Sequence, residues 1–308
     1  MHRLYFIMGC TASGKGALGR ELAARVGGQI ISVDSMKVYR GMDIGTAKPS
    51  PHIRGQIPHW CVDIVDPWDK FSVAQYVEHA DRAVSAIRQA GAIPLAVGGT
   101  SLYIKALWEG LFDAPSPDPQ IRQRLLARSA GEGLAALHAE LAQADPQAAA
   151  RIHANDEKRI VRALEVYLAT GKPISQLQRQ WGAGDGRYDC VFIGLRREKA
   201  DLSRRVNLRV KRMVDAGLRD EVAALLAEAR GISDQAAQAV GYAEMIRHLH
   251  GELTLDEAIE QIKINTRRLA KKQRTWQRRF PNITWFDLAA DATAAQLADE
   301  VVQRVEFK

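Results

Sequence analysis

The run Gly9-Cys10-Thr11-Ala12-Ser13-Gly14-Lys15-Gly16 has the residue types and spacing of a loop that holds phosphate. Its glycines let backbone N–H groups turn inward around phosphate oxygens, and Lys15 adds a full positive charge. The run follows the apolar stretch Leu4–Met8 and opens Lys15–Val26, where Leu18, Leu22 and Val26 recur at helical spacing. A strand before and a helix after is the context such a loop needs, because the helix N-terminus adds its positive end to the cradle. One position departs from the pattern. The residue after the lysine ordinarily carries a Ser or Thr hydroxyl that ligates Mg²⁺, and here it is Gly16. Water could fill that coordination position, Thr11 or Ser13 could compensate, or the loop could take a diphosphate with weaker metal dependence. The departure counts against an ordinary nucleoside triphosphate hydrolase.

Two further strand ends offer chemistry. Asp34 closes the β-branched run Gln29–Val33, at the edge of the sheet where ligands of open α/β proteins sit. There it is either a helix cap, as Ser35 also could be, or a proton acceptor or metal partner beside the loop. Val97-Gly98-Gly99-Thr100 repeats the logic: the glycines permit close backbone approach, and Thr100 aims a hydroxyl into the crevice or merely caps a turn. The eight histidines show no metal-ligand spacing; His248 and His250 are their only close pair.

The elements that must position these residues read as an α/β fold. Leu4–Met8, Gln29–Val33, Val62–Val65 and Ile93–Val97 are short apolar runs of strand type, with Ser72–Ala90 helical between the last two. Strands alternating with helices predict a mostly parallel sheet with both faces covered. The texture changes at Ala114–Pro119 and again at Gly182–Gly186, both loop chemistry. Between them lie helical patterns at Ile121–Ala130, Gly133–Ala144 and Glu157–Ala169. The expected organisation is therefore a core of residues 1–114 and 187–308 interrupted by a helical insertion, 115–186. Val191–Leu195 returns the chain to the sheet. Lys199–Ala216, Leu218–Arg230 and Leu255–Phe280 are further helices, with Gly217 capping between the first two.

The 308 residues carry 43 basic and 36 acidic side chains, a formal net charge of +7. The excess is concentrated. Lys263, Arg267, Arg268, Lys271, Lys272, Arg274, Arg278 and Arg279 stand between Ile262 and Phe280 with no acid among them. Ile262, Leu269, Trp276 and Phe280 read as the apolar stripe of that helix, leaving the bases for a polyanion. Near Asn155–Arg159, Lys158, Arg159 and Arg162 cluster at a helix start, either a solvated end or a nucleic-acid contact. Three cysteines without C-x-x-C spacing exclude a disulfide framework and a zinc ribbon, and favour a reducing cytosol. The longest uncharged stretch is shorter than the ~20 apolar residues a membrane span needs, and Leu4–Met8 is too brief for a signal peptide.

These blocks together resemble the tRNA dimethylallyltransferases, over nearly the whole chain. The carriers are Gly9–Lys15, the run Asp34-Ser-Met-Lys-Val-Tyr-Arg-Gly-Met-Asp-Ile-Gly-Thr-Ala-Lys-Pro49, Asp63–Pro67 and Val97–Lys105. Arg151–Asp156, Arg162–Val166, Val240–Tyr242 and Leu269–Trp276 follow in order. The resemblance implies a P-loop α/β core with a helical insertion that grips the anticodon stem-loop. It also implies transfer of a dimethylallyl group from dimethylallyl diphosphate to N6 of adenosine 37, with Mg²⁺, by a cytoplasmic monomer. Carried over by position, Gly9–Gly16 match the diphosphate loop, Asp34 the carboxylate at N6, and Arg209 an arginine near the diphosphate. Asp34, Thr100, Lys15 and Arg209 match the catalytic positions. Asp34, Ser35, Met36, Lys37, Thr100, Arg122, Lys158, Arg159, Ile160, Val161, Arg162, Gly241 and Tyr242 match positions facing tRNA. So do Lys271, Lys272, Gln273, Arg274, Trp276 and Arg278. Cys10, Gly16, Lys37 and Ser101 depart from the family's usual residues, and of these Gly16 alone touches presumed chemistry. The alternatives are an adenylate isopentenyltransferase, which would not need the basic helix, a small-molecule P-loop kinase, and a non-catalytic RNA-binding protein.

Overall fold

The structure is a computed structural model that describes residues 3–111, 118–178 and 186–308. It begins β1 (Arg3–Met8), α1 (Lys15–Val26), β2 (Gly28–Val33), α2 (Pro51–Gln56), β3 (His59–Trp60), α3 (Val73–Gln89) and β4 (Ile93–Gly98). Helices α4 (Ser101–Glu109), α5 (Pro119–Glu132), α6 (Leu134–Ala144), α7 (Pro146–Arg151), α8 (Glu157–Thr170) and α9 (Ile174–Leu177) follow. The chain then runs through β5 (Asp189–Arg197), α10 (Lys199–Asp215), α11 (Leu218–Ala227), α12 (Asp234–Ala237), α13 (Tyr242–Leu249) and α14 (Leu255–Gln277). It ends with β6 (Thr284–Leu288) and α15 (Ala294–Arg304).

The strands form one parallel sheet in the order β3-β2-β4-β1-β5-β6. β1 is central: Tyr5 stands opposite Leu95 of β4 and Val191 of β5. Both faces of β1 are covered, which is why its sequence is continuously apolar rather than alternating. Tyr5 and Ile7 pack with Leu18 and Leu22 of α1 and Leu297 and Val301 of α15. On the other face Phe6 stacks on Phe192 at 5.3 Å between ring centroids. The expected strand at Val62–Val65 does not form; the edge strand is His59–Trp60 instead. Cys61 and Asp63 have φ of 59° and 56°, a left-handed backbone that breaks the extended run. Val65 keeps only a single parallel bridge to Tyr39.

The chain divides into two compact units, Met1–Trp108 with Tyr188–Lys308, and Glu109–Arg187. The second has its own core, in which Leu125, Leu137, Leu141, Ile160 and Leu164 are fully buried. Asp145 staples it: its carboxylate caps α7 by accepting from Ala148 N at 2.9 Å and also accepts from Ser175 N at 2.9 Å. The expected loops fall partly outside the described residues, at 114–117 and 182–185. No described helix is long and apolar enough to cross a membrane.

Candidate active site

β1 delivers the chain to the loop, and two left-handed residues, Ala12 (φ 63°) and Gly14 (φ 102°), curl it back into α1. The curl turns the carbonyls of Ala12 and Ser13 outward, where arginines receive them. Arg205 Nε donates to Ala12 O at 3.0 Å and Arg197 Nε to Ser13 O at 2.9 Å. The Arg197 side chain is 3% exposed and is itself fixed by Asp201 at 2.9 Å. Neither arginine carries a motif, and both escape a reading of the sequence. Lys15 Nζ donates to Cys10 O at 3.3 Å. Burial pushes this ammonium down to about 8; Asp34 opposes the shift, and the Lys37 and Arg209 charges add to it. The Cys10 thiol is buried against Leu202, Ala270 and Ala12, so only its backbone can serve a ligand.

Asp34 and Thr100 meet across the ends of β2 and β4. Gly98 lets the strands close: a Cβ there would lie 2.0 Å from Val33 O. Gly99 N and Thr100 N then donate to that same oxygen at 3.2 and 3.3 Å. Thr100 Oγ1 accepts from Ser35 N at 3.2 Å, and Asp34 Oδ1 accepts from Met36 N at 2.9 Å and Lys37 N at 3.4 Å. The cap reading of Asp34 is thus real but occupies one oxygen. Oδ2 has no hydrogen-bond partner among the described residues and remains available as a base. Arg209 is held below the ordinary guanidinium value mainly by burial, with the Asp34 carboxylate opposing. Lys15, Asp34 and Thr100 therefore gather at the carboxyl ends of β1, β2 and β4, as their spacing implied, and Arg209 of α10 stands near them, as the resemblance implied.

The Asp34–Pro49 run is a clamped loop rather than an open one. Lys48, its side chain 2% exposed, donates to Tyr39 O at 2.8 Å and pairs with Asp63 at 2.6 Å and with Asp43. Glu221 of α11 accepts from the amides of Asp43, Ile44 and Gly45 at 3.0, 2.7 and 3.3 Å. The Tyr242 hydroxyl donates to the same carboxylate at 2.6 Å, and a Cβ on Gly45 would meet the Tyr242 ring at 2.3 Å. Tyr242 is 0% exposed. Its side chain cannot touch tRNA and instead seats this loop; Gly241, at φ 101°, begins its helix with N–H donated to the buried Glu244 at 2.7 Å.

Other tRNA-facing expectations also change. Gln273 points inward: its Oε1 accepts from Thr11 N at 2.7 Å and its Nε2 donates to Gly99 O at 3.1 Å, joining the phosphate loop to the Gly98–Thr100 turn. The buried face of α14 is Ala258, Ile262, Thr266, Ala270 and Gln277, so Leu269 is exposed and Trp276 half-buried, with Arg279 4.7 Å over its ring. Thr266 and Gln277, the polar members of that face, hid it from an apolar-periodicity reading. Arg274 and Arg278 line a cavity of about 1030 Å³ beside Cys10, while Lys271 and Lys272 stand exposed. In the helical unit Ile160 and Val161 are buried in the core and cannot touch RNA through their side chains. Arg122 and Arg162 both bond the buried Glu165, at 2.9 and 2.7 Å, and Lys158 and Arg159 are exposed.

The side chains around the loop do not fit a protein-held Mg²⁺. Position 16 has no hydroxyl, the buried Ser13 Oγ is tucked against Gly9 without a hydrogen-bond partner, Asp34 has one uncommitted oxygen, and the other charged groups facing them are cations. Among the described residues no three His, Cys, Asp or Glu side chains gather as a metal cluster.

The family model described as IPP transferase matches residues 37–280. A tRNA dimethylallyltransferase of Geobacter metallireducens is 50% identical over 285 residues, 92% of each chain. The solved tRNA isopentenylpyrophosphate transferase of Bacillus halodurans superposes with a TM-score of 0.71 at 40% identity, covering 99% of this chain and 97% of that one. A eukaryotic dimethylallyltransferase described as acting on tRNA gives a TM-score of 0.82 at 27% identity, covering 99% of this chain and 77% of the other.

Proposed function

This chain belongs to the IPP transferase family, and from that premise we propose how its residues carry out the transfer of a prenyl group to tRNA. The donor is dimethylallyl diphosphate, and the acceptor is N6 of adenosine 37 beside the anticodon. The observation that carries this reading is the meeting of one half-free carboxylate, Asp34, with a phosphate loop ringed by Lys15, Arg209, Arg197 and Arg205. The adenine amine is a weak nucleophile because its lone pair is delocalised into the ring. As N6 bonds to the allylic carbon, its proton passes to Asp34 Oδ2, and the carbon–oxygen bond breaks with its electron pair going to the diphosphate. Loop amides, Lys15 and Arg209 stabilise the charge that develops on the leaving oxygens. Mg²⁺ brought in with the diphosphate would help neutralise the charge on the leaving oxygens.

The base must leave its stack to reach Asp34, at a cost of a few kcal/mol that contacts to the RNA must offset. Exposed Lys271 and Lys272 on α14, and Lys158 and Arg159 in the helical unit, supply sequence-independent phosphate contacts. Arg122 retains partial exposure and joins them. Ser35, Met36, Lys37 and Thr100 border the base pocket. The enzyme works as a monomer in the cytoplasm. Labelled dimethylallyl diphosphate, offered with tRNA and with AMP in separate reactions, tests the acceptor. Label in tRNA alone is the expected result; label in AMP alone overturns it in favour of a free-nucleotide transferase.

The depressed Lys15 value sets a pH dependence. In the folded protein without ligand the ammonium loses its proton near 8, against 10.5 unfolded. Between those values the unfolded chain binds more protons, so this group's contribution to stability rises with pH across that window. Binding runs the other way, because the diphosphate needs the charged form. Its affinity should be flat between about pH 7, where the diphosphate is fully ionised, and pH 8 and fall roughly tenfold per unit above it, a trend that calorimetric titration of dimethylallyl diphosphate would check. A flat profile to pH 10 would remove Lys15 from the diphosphate contact.

A further inference from the structure

Position 16 lies in the first turn of α1, where a hydroxyl ordinarily holds the metal that bridges phosphate oxygens. A Cβ built there would meet one atom within 4 Å, Arg20 Nη1, at 3.8 Å. Arg20 is one helical turn further on, and helical side chains lean back toward the N-terminus. One guanidinium nitrogen thus lies in van der Waals contact with the place of a Ser or Thr Cβ. Arg20 is half-buried and has no hydrogen-bond or ion-pair partner among the described residues; the neighbouring Glu21 is taken by Arg25 at 2.6 Å. Its charge is also felt across the crevice. Lys37, beside Asp34, is held low chiefly by burial, with Asp34 opposing and the Arg209 and Arg20 charges adding to the fall.

A metal ion and a guanidinium compete for the same few ångströms, because both are cations. A guanidinium can do part of the metal's work: its planar fork binds two phosphate oxygens at once and never deprotonates at working pH. We propose that in this chain Arg20 takes the place of the metal-holding hydroxyl, its guanidinium contacting the diphosphate directly over Gly16, so that diphosphate binding needs little Mg²⁺. The inference rests on the diphosphate reading above and adds to it a residue and a lower demand for metal. The two features belong together: glycine removes the metal's ligand, and the Arg20 guanidinium stands beside the same turn.

Calorimetric titration of the full-length protein with dimethylallyl diphosphate, in excess EDTA and again in excess Mg²⁺, tests this without any turnover. The wild type is expected to bind with dissociation constants within about threefold of each other in the two media. Arg20→Gln should weaken binding about tenfold or more in EDTA and recover part of that loss in Mg²⁺. The double change Gly16→Thr with Arg20→Ala should bind well only with Mg²⁺. Wild-type binding that falls more than about tenfold in EDTA overturns the proposal without reference to any variant. Arg20→Gln matching the wild type in both media overturns it as well. Wild-type protein that binds the diphosphate in neither medium overturns the diphosphate reading itself, and this inference with it.

Discussion

Asp34→Asn is expected to lower the single-turnover rate of prenyl transfer by about 10²–10⁴-fold while tRNA affinity stays within about threefold of wild type. The amide is close to isosteric, and its oxygen can still accept from Met36 N and Lys37 N, which now hold Asp34 Oδ1. The loop therefore keeps its shape. The nitrogen that replaces Oδ2 cannot take a proton from N6, and the developing ammonium has nowhere to send it. A second signature separates this from a structural defect. Asp34 is the carboxylate that holds the Lys15 value up against burial and the neighbouring cations. With its charge removed, Lys15 should titrate lower, and the pH above which diphosphate affinity declines should move down from 8. Transfer within threefold of wild type would end the general-base role of Asp34.

Gly98→Ala is expected to cost about 3 kcal/mol or more of stability, with a loss of soluble protein or a melting point lower by roughly 2–4 °C per kcal/mol. The added methyl would stand 2.0 Å from Val33 O, and a backbone oxygen in a central parallel pair cannot step aside as a side chain can. The strands would have to part at the point where Asp34 and Thr100 leave them, so surviving protein should also transfer poorly. Gly16→Ala is the control. Its Cβ meets only the flexible end of Arg20 at 3.8 Å, and a helical glycine gains from replacement by alanine, so that variant should melt at or above the wild type. Thermal unfolding of both variants by circular dichroism measures the contrast. Gly98→Ala melting like wild type would mean that β2 and β4 do not close as described.

The chemistry contained in one short stretch of chain could be read directly. Loop, lysine and following helix are contiguous, and the strand before them is apolar on both faces because the sheet is covered on both sides. Asp34 and Thr100 were legible for the same reason: each ends an apolar run of strand length, and parallel strands bring such ends to one edge. Where local pattern and tertiary need diverged, the reading failed. Val62–Val65 has strand composition but a left-handed backbone around it. Tyr242 lies in a motif, and a motif does not say whether its tyrosine is presented to a ligand or buried beneath the loop that is. Ile160 and Val161 sit between charged residues at a helix start, yet the helix turns them into its core.

What the sequence alone determined is the set of groups whose positions follow from neighbours in the chain: the phosphate loop, its lysine, the acid and hydroxyl at the strand ends, and the basic stretch of α14. What only the tertiary structure decided is the set that supports them from far along the chain. Gln273 reaches Thr11 across 262 positions, Arg197 reaches Ser13 across 184, and Glu221 holds Ile44 across 177. A glutamine, arginine or glutamate in a helix has the same local signature whether it faces water or a backbone amide. It becomes a support only once the order of the strands places β5 beside β1, and the packing of α11 and α14 turns those particular side chains toward the loop. Such contacts depend on distances in space that no period or spacing in the sequence encodes.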